Sequence, residues 1–123
     1  MKIAISASGS GKESSVDERF GRCPYFVIVD TDEMDFESVE NTHTSKAHGV
    51  GPQVVQMLSE MNIDAVITGN VGPNAHRTLS SADIEVYKGT GNISDAVKKL
   101  KDEKLEKIDG KTVQGHFGKG GRR

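Results

Sequence analysis

The sequence predicts a single α/β domain in which helices cover both faces of a five-stranded mixed sheet. The first observation is the order of the predicted elements: three strands, then helices that alternate with strands. The second is the length, because 123 residues suit one domain. The third is a modest core, with 34% hydrophobic residues and no Trp. We expect residues 1–108 to form this domain and residues 109–123, rich in Gly and Lys, to form a disordered tail.

The first half of the chain contains three predicted strands. Residues 2–7 form a short strand with Ile3 and Ile5 on one face. Residues 25–30 are apolar nearly throughout, which predicts a strand buried on both faces. Residues 35–41 alternate between polar and apolar side chains, which predicts an edge strand paired back in a hairpin.

The second half of the chain alternates between helices and strands. A helix begins near Pro52, because apolar residues then recur at helical spacing. Strands are predicted over residues 64–68 and 84–87, and a short helix over residues 74–81 lies between them. A third helix follows Asn92, which is a good N-cap residue. Its predicted buried stripe consists of Ile93, Ala96, Val97 and Leu100.

Charge and composition exclude several classes of protein. The net charge of −2 lacks the basic excess of a nucleic-acid binder. No apolar run approaches the ~18 residues of a membrane span, and the N-terminus is too short and β-like for a signal peptide. We therefore expect a cytoplasmic protein that contacts neither nucleic acid nor membrane. The single Cys excludes an intrachain disulfide and any metal site held by several Cys of one chain.

Glycine-bearing loops indicate where a ligand would bind. The loops at residues 49–51, 69–73 and 89–91 adjoin strand ends or helix starts, which gather at one edge of an open α/β sheet. The polar loop at residues 8–24 is long for a compact domain, and such loops are often functional. A helix that starts near Asn74 would point free N–H groups at an anion. From the loop at residues 69–73 alone, we favour a tight turn with Asn74 as N-cap over an anion site.

Cys23 is a candidate soft-metal ligand. Arg19 and Arg22 precede it, and nearby guanidinium groups would lower the pKa of its thiol. The alternative is that a lone Cys is a small buried apolar residue, which we favour on this loop alone. The His residues show no tight metal spacing, although the fold could assemble a mixed site with Cys23. These residues are His43, His48, His76 and His116.

Known catalytic motifs are not matched. A phosphate-binding P-loop needs Gly where Ser6 stands and Ser or Thr where Glu13 stands. No Gly-x-Ser-x-Gly elbow is present, so the sequence does not support Ser/His/Asp catalysis.

Three motifs in series resemble one protein family. They are residues 16–26, residues 49–51 and residues 63–75. Residues 16–23 are called the signature loop below. In order and spacing the three motifs are similar to those of the dinitrogenase iron–molybdenum cofactor biosynthesis family, which includes NifX-like proteins and a domain of NifB. The resemblance covers about residues 1–105.

The resemblance implies a ribonuclease H-like fold with a five-stranded mixed sheet. It also implies non-catalytic carriage of an iron–sulfur or iron–molybdenum–sulfur cluster, or its precursor. The partners would be the cluster itself and cofactor-assembly proteins, and the protein would be a monomer or homodimer. Cys23 and His48 would be metal ligands. The cofactor-binding residues would be Arg19, Phe20, Gly21, Arg22, Cys23, Gly49, Gly51, Gly69, Asn70, Gly72 and Asn74.

One position departs from the family pattern. Cofactor-binding members often carry His directly before the Phe-Gly of the signature loop, where this chain has Arg19. This departure argues against tight binding of the nitrogenase cofactor itself, and Arg19 and Arg22 would instead neutralise an anionic cluster. A His-Phe-Gly sequence recurs at His116 in the tail, where chance explains it best.

Two other functions stay open. The first is a nucleotide or small-anion sensing module that uses the glycine-rich loops. The second is a metal-dependent phosphohydrolase on the same fold, which needs clustered carboxylates around divalent ions. The first predicted strand contains no acidic residue, which disfavours the second function.

Overall fold

The computed structural model describes residues 1–42 and 50–108, with the backbone alone for residues 50–52. Within these residues, one six-stranded sheet is flanked by three helices. The strands are β1 (Lys2–Ala7), β2 (Tyr25–Asp30), β3 (Asp35–Glu40), β4 (Ala65–Thr68), β5 (Glu85–Lys88) and β6 (Glu106–Lys107). The helices are α1 (Val50–Glu60), α2 (Pro73–Ser81) and α3 (Ile93–Lys101).

The sheet is mixed, and its strands lie in the order β3-β2-β1-β4-β5-β6. β1 pairs antiparallel with β2 and parallel with β4, and β4 pairs parallel with β5. The edge strands β3 and β6 pair antiparallel with β2 and β5. Consequently β1, β3, β4 and β5 end at the same edge of the sheet. We call this edge the carboxyl rim; it is marked by Ala7, Glu40, Thr68 and Lys88.

The core lies on both faces of the sheet. Val54 and Leu58 of α1 and Leu79 of α2 pack on one face, with Phe26 of β2 among the strand residues they cover. On the other face the buried stripe of α3 packs against side chains that include Val27 of β2. Alternate residues of β2 therefore enter different halves of the core, which confirms that this strand is buried on both faces. The larger residues with no exposed surface include Phe26, Ile3, Ile5, Leu58, Ile67, Leu79 and Ile93.

The α/β class, the mixed sheet and the helices on both faces are confirmed, but the count of five strands is wrong. The described residues contain a sixth strand, β6, of only two polar residues. Such a short strand leaves no periodicity in the sequence. It is fixed by pairing with Tyr87 and Lys88, and the Ile108 N–H then donates to the Val86 carbonyl at 2.8 Å.

The predicted helices are present with small shifts of their first residues. α1 begins at Val50, two residues before Pro52, and α2 begins at Pro73. The Asn92 side chain caps α3 as expected, since it accepts a hydrogen bond from the Asp95 N–H. No described helix is both long and apolar enough to cross a membrane. Several sequence predictions fall outside the described residues, namely those on His43, His48, Gly49, His116 and the tail at 109–123.

Candidate functional site

The signature loop is attached to the carboxyl rim by buried hydroxyl groups. The Asp17 N–H donates to the Ser6 carbonyl at 2.8 Å, and the Ser6 hydroxyl donates to the Asp17 carbonyl at 2.7 Å. The Thr68 hydroxyl lies 2.8 Å from that of Ser6, and both side chains are fully buried. A buried hydroxyl without a partner is costly, so these contacts fix the backbone of the loop against the ends of β1 and β4.

A glycine at the end of β4 allows the loop to approach closely. A Cβ atom added at Gly69 would lie 2.8 Å from the Cα of Glu18, nearer than real Cβ contacts occur. The Asn70 N–H donates to the Glu18 carbonyl at 2.8 Å, and Arg19 and Asn70 pair like neighbouring strand residues. The structure thus brings the first and third sequence motifs together, a contact that the sequence analysis did not predict.

Asp17 and Arg19 form an ion pair at the surface of the rim. The Asp17 carboxylate accepts from the Arg19 backbone N–H at 2.8 Å, from Nε at 3.0 Å and from Nη2 at 2.9 Å. The hydrogen bonds from the Arg19 side chain lower the pKa of Asp17, against the opposing effect of burial. The Asp17 side chain is 8% exposed and that of Arg19 is 62% exposed. The pair therefore holds the guanidinium group in solvent on a buried carboxylate.

The second half of the signature loop buries Phe20 and Cys23 and leaves Arg22 exposed. The Phe20 ring is 3% exposed and meets the Phe26 ring edge to face, with 5.8 Å between centroids. The Asn41 side-chain amide donates to the Gly21 carbonyl at 3.2 Å and to the Cys23 carbonyl at 2.9 Å. These contacts close the loop onto the core before β2 begins.

The Cys23 thiol belongs to this second half. Its side chain is fully buried, and Sγ donates to the Phe20 carbonyl at 3.3 Å. Burial raises the pKa of Cys23 to about 12, so a lowering by Arg19 and Arg22 is wrong, and the alternative of a small buried residue, favoured on the loop alone, is confirmed. Desolvation of the thiolate outweighs the attraction of the guanidinium groups, because Arg22 is exposed and Arg19 is paired with Asp17. In this conformation Cys23 presents a protonated, covered sulfur.

The start of α2 lies directly after the residues that touch the signature loop. Gly72 occupies the N-cap position in an extended conformation, and no side chain caps the helix. The expected cap at Asn74 is wrong, because Pro73 at the first helical position sets the start one residue earlier. Gly72 and Asn74 are exposed, and the His76 N–H donates to the Gly72 carbonyl at 3.0 Å.

The start of α3, at the same rim, is satisfied by the protein itself. The Asn92 side chain caps it, and the Ile93 N–H donates to the Ser14 carbonyl at 2.9 Å. Residues 8–16 of the long loop therefore serve α3, whereas the signature loop lies beside the start of α2.

The remaining predicted ligands are dispersed or outside the described residues. Gly51 lies in the first turn of α1, and His48, the second predicted metal ligand, lies outside them. Within residues 1–42 and 50–108, no three His, Cys, Asp or Glu side chains are grouped to hold a metal ion. Sequence reasoning also missed the groups that position the loop. These groups are Ser6, Thr68, Asp17 and Asn41. Ser6 and Thr68 carried one signal, a polar residue at or near the end of an otherwise apolar strand, whereas Asp17 and Asn41 stand in polar surroundings that gave none.

Fold and rim together define a small α/β domain that presents an anchored loop beside an open helix start. Residues 1–103 match the family described as dinitrogenase iron-molybdenum cofactor. The chain belongs to this family, as its motifs indicated.

Solved structures and relatives agree with this assignment. The apo form of the orange protein from Desulfovibrio gigas is 33% identical, with a TM-score of 0.87 over 90% of this chain and 95% of that one. A proposed NifB protein from Thermotoga is 38% identical, with a TM-score of 0.80 over 93% of this chain and 98% of that one. An uncharacterized protein of Methanocaldococcus jannaschii is 33% identical over 113 residues, which are 89% of this chain and 92% of the relative.

Proposed function

We propose that this protein binds an iron–sulfur or iron–molybdenum–sulfur cluster, or its precursor, at the carboxyl rim and carries it without catalysis. The observation that carries the proposal is the anchored signature loop, which holds the Arg19 guanidinium group in solvent beside the start of α2. Family membership supports the cargo. So does the similarity to a protein described as an apo form, a term that implies a ligand-bound state.

The chemistry of the rim suits an anionic cluster. Sulfide-bridged clusters are stabilised by cationic groups and by hydrogen bonds to their sulfur atoms. Arg19 supplies a mostly exposed guanidinium group, and the uncapped start of α2 points backbone N–H groups outward beyond Gly72. A cargo held by such contacts, with few covalent ligands, can be released to an assembly partner.

Cys23 enters this proposal only through a change in the loop. Its sulfur would bind a metal after the contacts of Phe20 and Asn41 open and the thiol loses its proton. Arg19 needs no such rearrangement. We therefore propose Arg19 as the first contact of the cargo and Cys23 as a ligand of an opened loop.

Anaerobic reconstitution tests the proposal. The full chain is incubated with iron, sulfide and molybdate, or with a preassembled [4Fe–4S] cluster on small thiol ligands, and then gel filtered. Metal, sulfide and the visible spectrum are measured for wild type, Arg19→Ala, Cys23→Ser and the matched control Arg77→Ala, which removes an exposed arginine from α2. We expect stoichiometric loading of wild type and the control, and about fivefold weaker loading of Arg19→Ala, from the loss of one charge contact of roughly 1 kcal/mol.

The other outcomes are informative. Loss of loading in Cys23→Ser shows that the loop opens to use the thiol. Full loading of every variant moves the cargo away from the signature loop, and His48 is then the next residue to test. Failure of wild type to load from either source contradicts cluster carriage and favours the anion-sensing function.

A further inference from the structure

A pocket at the carboxyl rim takes no part in the proposed function. It has a volume of about 240 Å³ and lies where β5 ends, between the outer side of α3 and the turn that leads into β6. Its walls are Lys88, Gly89 and Thr90 at the end of β5, Lys99 of α3, and Lys104, Leu105 and Glu106 before and in β6.

Three lysines from three different elements converge on this pocket. Helix α3 explains only Lys99, because lysines in a last turn complement the helix dipole. Lys88 and Lys104 come from β5 and from the turn after α3. Throughout the described residues the ion pairs involve other groups, so no carboxylate oxygen lies within 4.0 Å of these three ammonium groups.

The local charge differs in sign from that of the whole chain. Glu106 is the single acidic residue among the lining residues, which leaves two net positive charges in a protein of net charge −2. The register pairs Lys88 with Glu106 across β5 and β6, yet the two side chains do not form an ion pair. Like charges that line one pocket repel one another, and an anion bound in the pocket would offset that repulsion.

The backbone at the end of β5 holds the floor of the pocket in place. A Cβ atom added at Gly89 would lie 2.5 Å from Cγ2 of Ile67 and 3.9 Å from Cδ1 of Leu105. The Gly89 N–H donates to the Thr68 carbonyl at 3.1 Å. The lysines therefore surround a floor that is tightly packed on the core.

We infer that this pocket binds a small divalent tetrahedral oxyanion, the chemistry shared by phosphate, sulfate and molybdate. The volume is below the ~300–1,000 Å³ of pockets for drug-sized ligands, so the pocket suits a small anion better than a whole nucleotide. A lysine ammonium group attracts phosphate as a point charge and does not form the paired, directional hydrogen bonds of arginine. We therefore expect the pocket to select anions by charge and size more than by shape. The inference does not depend on the proposed cluster cargo.

Titration of the ¹⁵N-labelled full chain at constant ionic strength tests the inference. Sodium phosphate, sulfate and molybdate are added in separate arms, with chloride as the monovalent reference, and amide shifts are followed by NMR. We expect saturable shifts at Gly89, Thr90 and Leu105 with the divalent anions. Lys88→Gln and Lys99→Gln each weaken binding by about fivefold, and Glu106→Gln strengthens it by a similar factor.

Lys101→Gln is the matched control, since it removes an exposed lysine from the same last turn of α3 outside the pocket. All these side chains are exposed, so the variants keep the fold. Equal weakening by Lys101→Gln, or shifts that never saturate, would overturn the inference in favour of general charge screening. Saturable shifts confined to residues 69–74 would also overturn it, because the anion would then occupy the start of α2.

Discussion

The two halves of the signature loop differ in what they present to solvent. Residues 17–19 hold a buried carboxylate under a guanidinium group that is 62% exposed. Residues 20–23 bury an aromatic ring and a thiol. Both halves contain candidate ligands: the first presents Arg19, and the second presents Arg22 but covers the Cys23 thiol. The comparison shows that both halves attach the loop to the core, through Asp17 in the first and Phe20 in the second, while the candidate sulfur ligand stays covered.

The largest expected effect on stability comes from removing the aromatic ring of the second half. Phe20→Ala removes a 3% exposed ring that packs on Phe26, and such changes cost about 3–5 kcal/mol of unfolding free energy. Urea denaturation measures the loss. The control is Phe36→Ala on edge strand β3, where the ring is only half-buried, and we expect less than half the effect. Equal losses would mean that the loop does not depend on its second half.

The buried Cys23 thiol makes the stability of the protein depend on pH. Its pKa is raised from 9.0 to about 12, so the unfolded chain loses the thiol proton first. The stabilising contribution is complete below pH 9 and declines as pH rises toward 12. At about pH 11 we expect the free energy of unfolding to be roughly 2 kcal/mol lower than at pH 9. Two pH units correspond to about 1.36 kcal/mol each, and local opening of the loop reduces the full amount.

Cys23→Ala isolates this contribution from other groups that titrate in the same range. Denaturation at several pH values between 8 and 11 should show a shallower decline in the variant than in wild type. A thiol-reactive probe at pH 8 should label native wild type slowly and the unfolded chain fast. Rapid native labelling would show that the second half is open in solution.

The smallest expected effect comes from the first half. Asp17→Asn removes the charge of the ion pair with Arg19, and because the guanidinium group is mostly exposed we expect a loss of only about 1 kcal/mol. The pKa of Asp17 is lowered, so its contribution is present above the ordinary value of 3.8 and is lost as pH falls below it.

Two measurements check the role of Asp17. Denaturation of wild type and Asp17→Asn should converge at low pH, and the Arg19 Nε–H signal in NMR should lose its protection in the variant. The control is Asp64→Asn, whose carboxylate accepts from the Lys2 N–H at 2.9 Å outside the signature loop. An unchanged Arg19 signal in Asp17→Asn would mean that the carboxylate does not orient the guanidinium group.

The sequence predicted the elements well and the chemistry of the loop poorly, for different physical reasons. The apolar pattern reports directly on β2, whose bounds were confirmed, and on α3, whose first residue and cap were confirmed. The ionisation of Cys23 depends on burial, which a polar loop sequence does not reveal. The pairing of Asp17 with Arg19 was not predicted from the sequence. The position of this pair depends on the contact between Ser6 and Thr68, which are 62 positions apart in the sequence and meet only in the folded chain.

The central position of β1 has a consequence for synthesis of the chain on the ribosome. β1, β2 and β3 are antiparallel neighbours and can pair as soon as residue 40 has emerged. The loop between β1 and β2 has to wait, because its partners include Asn70 and Ile93. The nascent protein can therefore pair the three antiparallel strands of its sheet before its carboxyl rim is complete. Any cargo or partner that recognises the signature loop therefore meets a nearly finished domain.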